Sequence, residues 1–189
     1  MGKKVNAVLG LAVTTLLVIH IIYEIYAYLT FYYNPVLTKI LAYSVLVTGV
    51  IHILISCYIL FVSHDRGKGI RYPGLNIRTL LQRISACAIA VLLILHMNTF
   101  MLLTNTSKSS RVLFTAVLAI QILFYAFSLL HAGLSFVNAL ITLGLVSSEK
   151  IRKRTDTAVW IFCATLFAAA SYIVVNTQIA MFLNGGGAE

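Results

Sequence analysis

Charge is scarce in this chain of 189 residues, because Asp, Glu, Lys and Arg together make up 10% of it, against 60% apolar residues. A soluble domain needs more polar surface than that, so the composition is typical of a membrane protein. Acids are the scarcest, with five against fourteen Lys and Arg, which leaves a net charge of +9. The basic residues lie in short segments between apolar runs, a distribution that indicates membrane orientation rather than binding of nucleic acid.

Cysteine motifs are also missing. The three cysteines, Cys57, Cys87 and Cys163, lie inside apolar runs, and neither CxxC nor CxxCH occurs in the sequence. This pattern gives no support to a disulfide scaffold, a cysteine zinc site or covalently attached c-type haem.

Five apolar segments are long enough to cross a hydrocarbon layer, for which about 20 helical residues are needed. We predict an all-α integral membrane protein with a single domain over residues 1–189 and spans at about 5–30, 36–62, 78–103, 112–146 and 157–184. The first residues, MGKK, resemble the start of a signal peptide, but the apolar run is too long for one and no A-x-A site follows. We therefore expect a retained first helix.

The distribution of Lys and Arg predicts the orientation. If the five segments alternate in direction, eleven of the fourteen basic residues lie toward one side. The positive-inside rule makes this side cytoplasmic, so we predict a multi-pass protein of the cell inner (cytoplasmic) membrane with its N-terminus in the cytoplasm. The eleven are Lys3, Lys4, Arg66, Lys68, Arg71, Arg78, Arg83, Lys150, Arg152, Lys153 and Arg154.

Four of the five histidines lie within predicted spans, one on each of the first four segments. A single histidine in hydrocarbon is usually a hydrogen-bonded packing residue. Counted from the outer end of each segment at about 1.5 Å per residue, His96 and His20 lie about 10 and 15 Å deep. His52 and His131 lie about 25 and 30 Å deep on the same count, so the four form two pairs. The fifth, His64, lies in a predicted cytoplasmic loop and is expected to be solvated.

Two imidazoles at similar depth on different helices can bind one iron from opposite sides. Neutral imidazole is a common haem ligand, and two such ligands give a closed centre suited to electron transfer. Zinc is the alternative metal, but two imidazoles leave a structural zinc site short of ligands, and no thiolate or carboxylate recurs at both depths. The pattern predicts two haem b groups whose iron is bound by His20 with His96 and by His52 with His131.

Several segments resemble one family, and together they cover nearly the whole chain. The segments are KKVNAVLG before His20, VIHILISCYILF, LQRISACAIAVLLILH, and SSEKIRKRTD after His131. They are similar to the first four helices of the di-haem cytochrome b membrane anchors, of the five-helix, single-subunit type, found in succinate:menaquinone oxidoreductases and quinol:fumarate reductases. In both, the histidine of the second helix precedes a tyrosine by six residues, here Tyr58. The sequence departs from the family after the fourth histidine, where HAGLS replaces the frequent Asn-Gly pair.

The resemblance implies five transmembrane helices bundled around two b-type haems. The distal haem, near the outside, would lie on His20 and His96, and the proximal haem on His52 and His131. It also implies a subunit of a succinate dehydrogenase or fumarate reductase complex that exchanges electrons with menaquinone or menaquinol. Dicarboxylate chemistry would belong to a flavoprotein subunit and an iron–sulfur subunit. The direction of the reaction stays open, and a higher oligomer of the complex is compatible with the resemblance.

Glu24 is the only acid within a predicted span, and it follows His20 by four residues, so both side chains share one helix face. A charged carboxylate in hydrocarbon is costly, so Glu24 should spend time protonated. One interpretation is a proton acceptor for quinol, whose oxidation releases protons with its electrons and needs a base. The other is an interface residue that extends to the outer head groups.

A polar cluster at the start of the third segment consists of Arg78, Gln82, Arg83 and Ser85. The propionates of the proximal haem could lie there, since arginine pairs well with carboxylates. The alternative is simple anchoring of the helix by positive-inside residues.

Two other functions fit part of the pattern. A cytochrome b anchor of another quinone-linked oxidoreductase, such as a nitrate reductase or hydrogenase, would share the haem ligands, but such anchors generally concentrate them on fewer helices. A small non-haem transporter or structural membrane protein would make four depth-matched histidines a coincidence.

Overall fold

The computed structural model describes residues 2–61, 77–106 and 110–185, and its regular secondary structure is entirely α-helical. The helices are α1 Gly2–Thr30, α2 Pro35–Phe61, α3 Ile77–Thr106, α4 Arg111–Leu143 and α5 Glu149–Gly185. All five are long and apolar enough to cross a membrane, which confirms the predicted all-α, multi-pass architecture. The predicted loop that contains His64, Arg66, Lys68 and Arg71 lies outside the described residues.

A short connection joins α1 to α2, and one asparagine organises it. The Asn34 side chain accepts hydrogen bonds from the backbone N–H groups of Val36 and Leu37, at 3.0 and 3.1 Å, and so caps the first turn of α2. Pro35 occupies the first helical position, where its missing N–H costs nothing. The Asn34 N–H donates to the Tyr23 hydroxyl at 3.1 Å, which ties the turn back to α1.

The boundary between α4 and α5 differs from the prediction. α4 ends at Leu143 rather than 146, because Gly144 takes the left-handed conformation, with φ of 79°, that terminates helices. α5 begins at Glu149 rather than 157 and continues through the charged run. Glu149 in the first turn and its ion pair with Lys153 at 3.0 Å stabilise this extension. Hydropathy locates the part of a helix that crosses hydrocarbon, and it does not locate the ends.

α4 lies at the centre of the bundle, in contact with α1, α3 and α5. α1 in turn contacts α2 and α5. The main apolar core lies among α1, α4 and α5, and its buried residues are Ile21, Leu129, Cys163, Leu166 and Ala170. No residue of α2 between 35 and 59 is buried, whereas each of the other four helices buries at least two residues in the described chain.

The first four helices form a ring with one open side. Within the described residues, no Cα atoms approach within 8 Å between α1 and α3, between α2 and α4, or between α2 and α3. The contacts link the four helices in the series α2, α1, α4, α3. The electrostatic proximity of His20 to His96, and of His52 to His131, indicates that this series curves into a ring with the order α1, α2, α3, α4. α1 therefore lies opposite α3, and α2 lies opposite α4.

Candidate functional site

The four histidines within the helices occupy the two diagonals of this ring. His20 on α1 lies within electrostatic range of His96 on α3, and His131 on α4 lies within range of His52 on α2. The structure brings together the same two pairs that depth predicts. Each pair bridges helices that make no close backbone approach to one another in the described chain.

The two pairs lie at different levels along the bundle. His52 and His131 form the near level, closer to the N-terminal end of α1, and His20 and His96 form the far level. The ring of His52 lies against Gly10 of α1, ten residues before His20. At 1.5 Å per residue, the two levels are about 15 Å apart.

A closed hydrogen-bond network holds His96 at the far level. Its Nδ1 lies 2.6 Å from Oε1 of Gln121 on α4. The Gln121 amide group donates to the Thr99 hydroxyl at 2.9 Å, and that hydroxyl donates to the His96 carbonyl at 2.6 Å. Since Oε1 of Gln121 can only accept, His96 donates from Nδ1 and keeps a lone pair on Nε2. Phe124 stacks on the imidazole, with ring centroids 4.5 Å apart, and fixes its plane.

His20 lacks such a network. Its Nδ1 lies 3.8 Å from Oε1 of Glu24, beyond hydrogen-bonding distance, and neither atom has a partner among the described residues. Thr38 of α2 lies beside Glu24, within hydrogen-bonding reach of the carboxylate. A buried polar atom without a partner costs about 1–3 kcal/mol. The unpartnered Nδ1 of His20 and Oε1 of Glu24 make this side of the far level suited to a polar group or a proton.

The surroundings of Glu24 are inside the bundle. Tyr28, one turn further along α1, and Tyr125 of α4 both lie within electrostatic range of the carboxylate. Tyr28 accepts a hydrogen bond from Nε2 of Gln178 on α5 at 3.2 Å. The Glu24 side chain is 28% exposed, and both interpretations, proton acceptor and interface residue, stay predictions.

His131 at the near level is held by α3. Its Nδ1 lies 3.1 Å from the backbone carbonyl of Gln82 and 3.1 Å from the hydroxyl of Ser85. Ser85 is fully buried and donates to the same carbonyl at 3.0 Å. Because a carbonyl can only accept, His131 also donates from Nδ1 and keeps a lone pair on Nε2. The Gln82 side chain donates to Ser135, one turn beyond His131, at 3.1 Å.

His52 resembles His20 in having an unpartnered Nδ1, but a backbone acceptor lies close to its ring. Its buried Nδ1 forms no hydrogen bond within the described chain, although the backbone carbonyl of Asn6 faces the ring. A Cβ atom added at Gly10 would lie 3.3 Å from Cε1 of His52, so the glycine makes room for the imidazole. Ser56, one turn beyond His52, donates to the Asn6 side chain at 2.9 Å and ties α2 to α1.

Arg78, predicted to contact a propionate, has a carboxylate partner within the chain. Its guanidinium donates to both carboxylate oxygens of Asp156 on α5, at 2.7 and 3.2 Å. It also donates to the backbone carbonyls of Gly133 and Leu134 on α4, each at 3.3 Å. Arg78 therefore joins three helices beneath the near level.

The other three residues of that predicted cluster lie in two settings. Gln82 and Ser85 contact the Nδ1 side of His131 rather than its Nε2 side. Arg83 is exposed on α3. A contact between any of these residues and a propionate stays a prediction.

The donor set suits haem better than a bare metal ion. The described residues contain no group of three or more His, Cys, Asp or Glu that could hold a metal. Each level instead offers two imidazoles from opposite helices, the ligand set of a six-coordinate haem. His96 and His131 donate from Nδ1 to an oxygen acceptor, as metal-bound histidines usually do, and this leaves Nε2 for the metal. The residues present therefore fit one haem at each level.

Sequence reasoning missed the residues that orient the histidines. Gln121 could have been singled out from the sequence, because it is the only amide between Arg111 and His131, and an amide in hydrocarbon needs a partner. Asn6 and Asp156 could not, because both lie near the polar ends of their helices, where solvation explains a polar residue equally well.

No family model, curated protein or solved structure matches this chain.

Proposed function

We propose that this chain is the membrane-anchoring cytochrome b subunit of a succinate dehydrogenase or fumarate reductase complex. It holds two haem b groups and exchanges electrons with a quinone of the bilayer, which the family resemblance favours as menaquinone. The chain has no flavin or iron–sulfur motif, so succinate or fumarate reacts on a partner flavoprotein, with an iron–sulfur subunit between the two.

The observation that carries the proposal is the arrangement of the histidines on the two diagonals of the ring. Coordination of one iron by two imidazoles requires two helices that carry their histidines toward each other without close backbone contact. The electrostatic proximity of His20 to His96 and of His52 to His131, on helices whose Cα atoms do not approach within 8 Å in the described chain, supports such an arrangement. The hydrogen bonds at Nδ1 of His96 and His131 place the ring proton on Nδ1 and leave a lone pair on Nε2, which is the tautomer that coordinates iron through Nε2.

A haem bound at each level supplies reversible one-electron transfer. The residues of the chain supply its position and its surroundings. His96 and His131 present Nε2 in a fixed direction, and Phe124 holds the plane of the His96 ring. The apolar core among α1, α4 and α5 excludes water from that side of the ring of helices.

Quinol oxidation also needs a base, and Glu24 is placed to act as one beside the far level. Its Oε1 is unpartnered in the described chain and lies 3.8 Å from Nδ1 of His20, so a proton accepted there stays next to the electron acceptor. Under the orientation predicted from the basic residues, the far level lies toward the outside of the cytoplasmic membrane. The near level then lies toward the partner subunits.

A difference spectrum of the purified protein, reduced minus oxidised, tests the proposal. We expect b-type bands and, by pyridine haemochrome, a haem content of two per chain. Co-purified partners should then catalyse succinate oxidation or fumarate reduction with quinone analogues. The absence of b-type bands would refute the haem function, and b-type bands with a different partner enzyme would place the anchor in another oxidoreductase.

A further inference from the structure

The two histidines of each pair differ in how firmly the protein holds them. On α3 and α4, Nδ1 of His96 and Nδ1 of His131 each bond to an acceptor on the other helix of that hairpin. On α1 and α2, the buried Nδ1 atoms of His20 and His52 have no partner in the described parts of the chain. The asymmetry at Nδ1 occurs at both levels, although the two levels share no residue of either network, and at the near level the Asn6 carbonyl is the acceptor close to the His52 ring.

This difference changes the conformational entropy that each histidine loses when it binds the haem iron. A ring already fixed by a hydrogen bond loses little rotational freedom when it binds a metal, whereas a free ring must be ordered at that moment. His96 is further fixed by Phe124, and Gln121 is itself held by Thr99, which is 1% exposed.

We infer that His96 and His131 are the preorganised ligands that retain each haem, and that His20 and His52 are adjustable ligands that complete the coordination. The inference rests on the proposed di-haem function and assigns unequal roles to its four ligands. α3 and α4 form the retaining half of the site. α2, whose one helix neighbour among the described residues is α1 and which buries no residue between 35 and 59, can adjust its position at lower cost than α3 or α4.

Alanine variants of the four histidines in the assembled protein test the inference, with haem content and spin state as readouts. For His20→Ala we expect the far-level haem to be retained in a five-coordinate, high-spin form, and added imidazole should restore the low-spin spectrum. For His96→Ala we expect that haem to be lost, which halves the haem content. At the near level, His52→Ala should behave as His20→Ala does, and His131→Ala as His96→Ala does.

The haem at the other level reports whether each variant has folded. Equal retention in His20→Ala and His96→Ala, or the opposite order, overturns the inference. A wild-type protein without b-type bands overturns the proposed function instead, so the two failures are distinguishable.

If His96→Ala does not assemble, a milder variant tests whether the hydrogen bond that fixes His96 helps to retain the far-level haem. Gln121→Leu removes the hydrogen bond to His96 and leaves all four histidines in place. We expect haem to pass from the far level to excess apomyoglobin about 10–100-fold faster, the usual effect of losing an outer partner of a metal ligand. Gln178→Leu is the matched control, since Gln178 is also a glutamine inside the helix bundle, and its described partner is Tyr28 rather than a histidine. Equal transfer rates in the two variants overturn the inference.

Discussion

Replacement of Glu24 by glutamine separates proton transfer from haem binding. The side chain keeps its size, and Oε1 of Glu24 lies 3.8 Å from Nδ1 of His20, beyond hydrogen-bonding distance. A glutamine carbonyl can still accept the hydrogen bond that the Thr38 hydroxyl is placed to donate to the carboxylate. We therefore expect Glu24→Gln to retain the haem spectrum and the thermal stability of the wild type.

Quinol turnover in the same variant should fall sharply. General acid–base groups contribute about 10²–10⁴-fold to rate. At about 1.4 kcal/mol for each factor of ten, this is about 3–5 kcal/mol of activation free energy. Glutamine cannot accept the proton, and the nearby phenols of Tyr28 and Tyr125 are weak bases when neutral, so neither residue replaces the carboxylate.

The assay compares fumarate reduction driven by quinol with fumarate reduction driven by an artificial dye, in one preparation of the complex. The dye-driven rate should persist, because the dye delivers electrons to the partner subunits directly. Glu149→Gln is the matched control, since its side chain is 68% exposed and pairs only weakly with Lys153. A wild-type quinol-driven rate in Glu24→Gln would refute the role as base. A parallel loss of both rates would also refute the argument, because it would show that the carboxylate is needed for assembly.

Two further substitutions test the near level and the ion pair beneath it. Gly10→Ala places a Cβ 3.3 Å from Cε1 of His52, so the electron paramagnetic resonance signal of the near-level haem should shift while that of the far level stays; an unchanged signal would contradict the contact. Asp156→Asn weakens the two-point contact with Arg78 and should cost about 1–2 kcal/mol of stability, measured by thermal unfolding in detergent. Lys153→Ala, which breaks an exposed pair, should cost less than about 0.5 kcal/mol, and an equal loss in both variants would contradict the assignment.

Helix number was readable from the sequence because it depends on position along the chain, and depth along the chain is also the basis of the predicted histidine pairing. An apolar run of sufficient length has few alternatives to a helix in a bilayer. Residues at similar depth on different helices can meet whenever their helices face each other, which is why His20 and His96 could be paired before the arrangement of helices was known.

The partners of the histidines could not be predicted, because they depend on how each helix is rotated about its axis. Gln121 reaches His96 only because α4 turns that face toward α3. Arg78 could equally have turned toward a propionate, and its bond to Asp156 follows from the start of α5 at Glu149, which hydropathy does not reveal.

The ion pair between Arg78 and Asp156 connects the start of α5, at the surface of the bundle, with the part of α4 that carries His131. Asp156 lies in the charged first turns of α5. Arg78 also donates hydrogen bonds to the carbonyls of Gly133 and Leu134, which follow His131 on α4. A displacement of those first turns is therefore transmitted to the backbone that carries the imidazole, over a path of two side chains. A subunit that docked on this end of α5 would act on the near level without contacting it, so its binding would change the surroundings of His131.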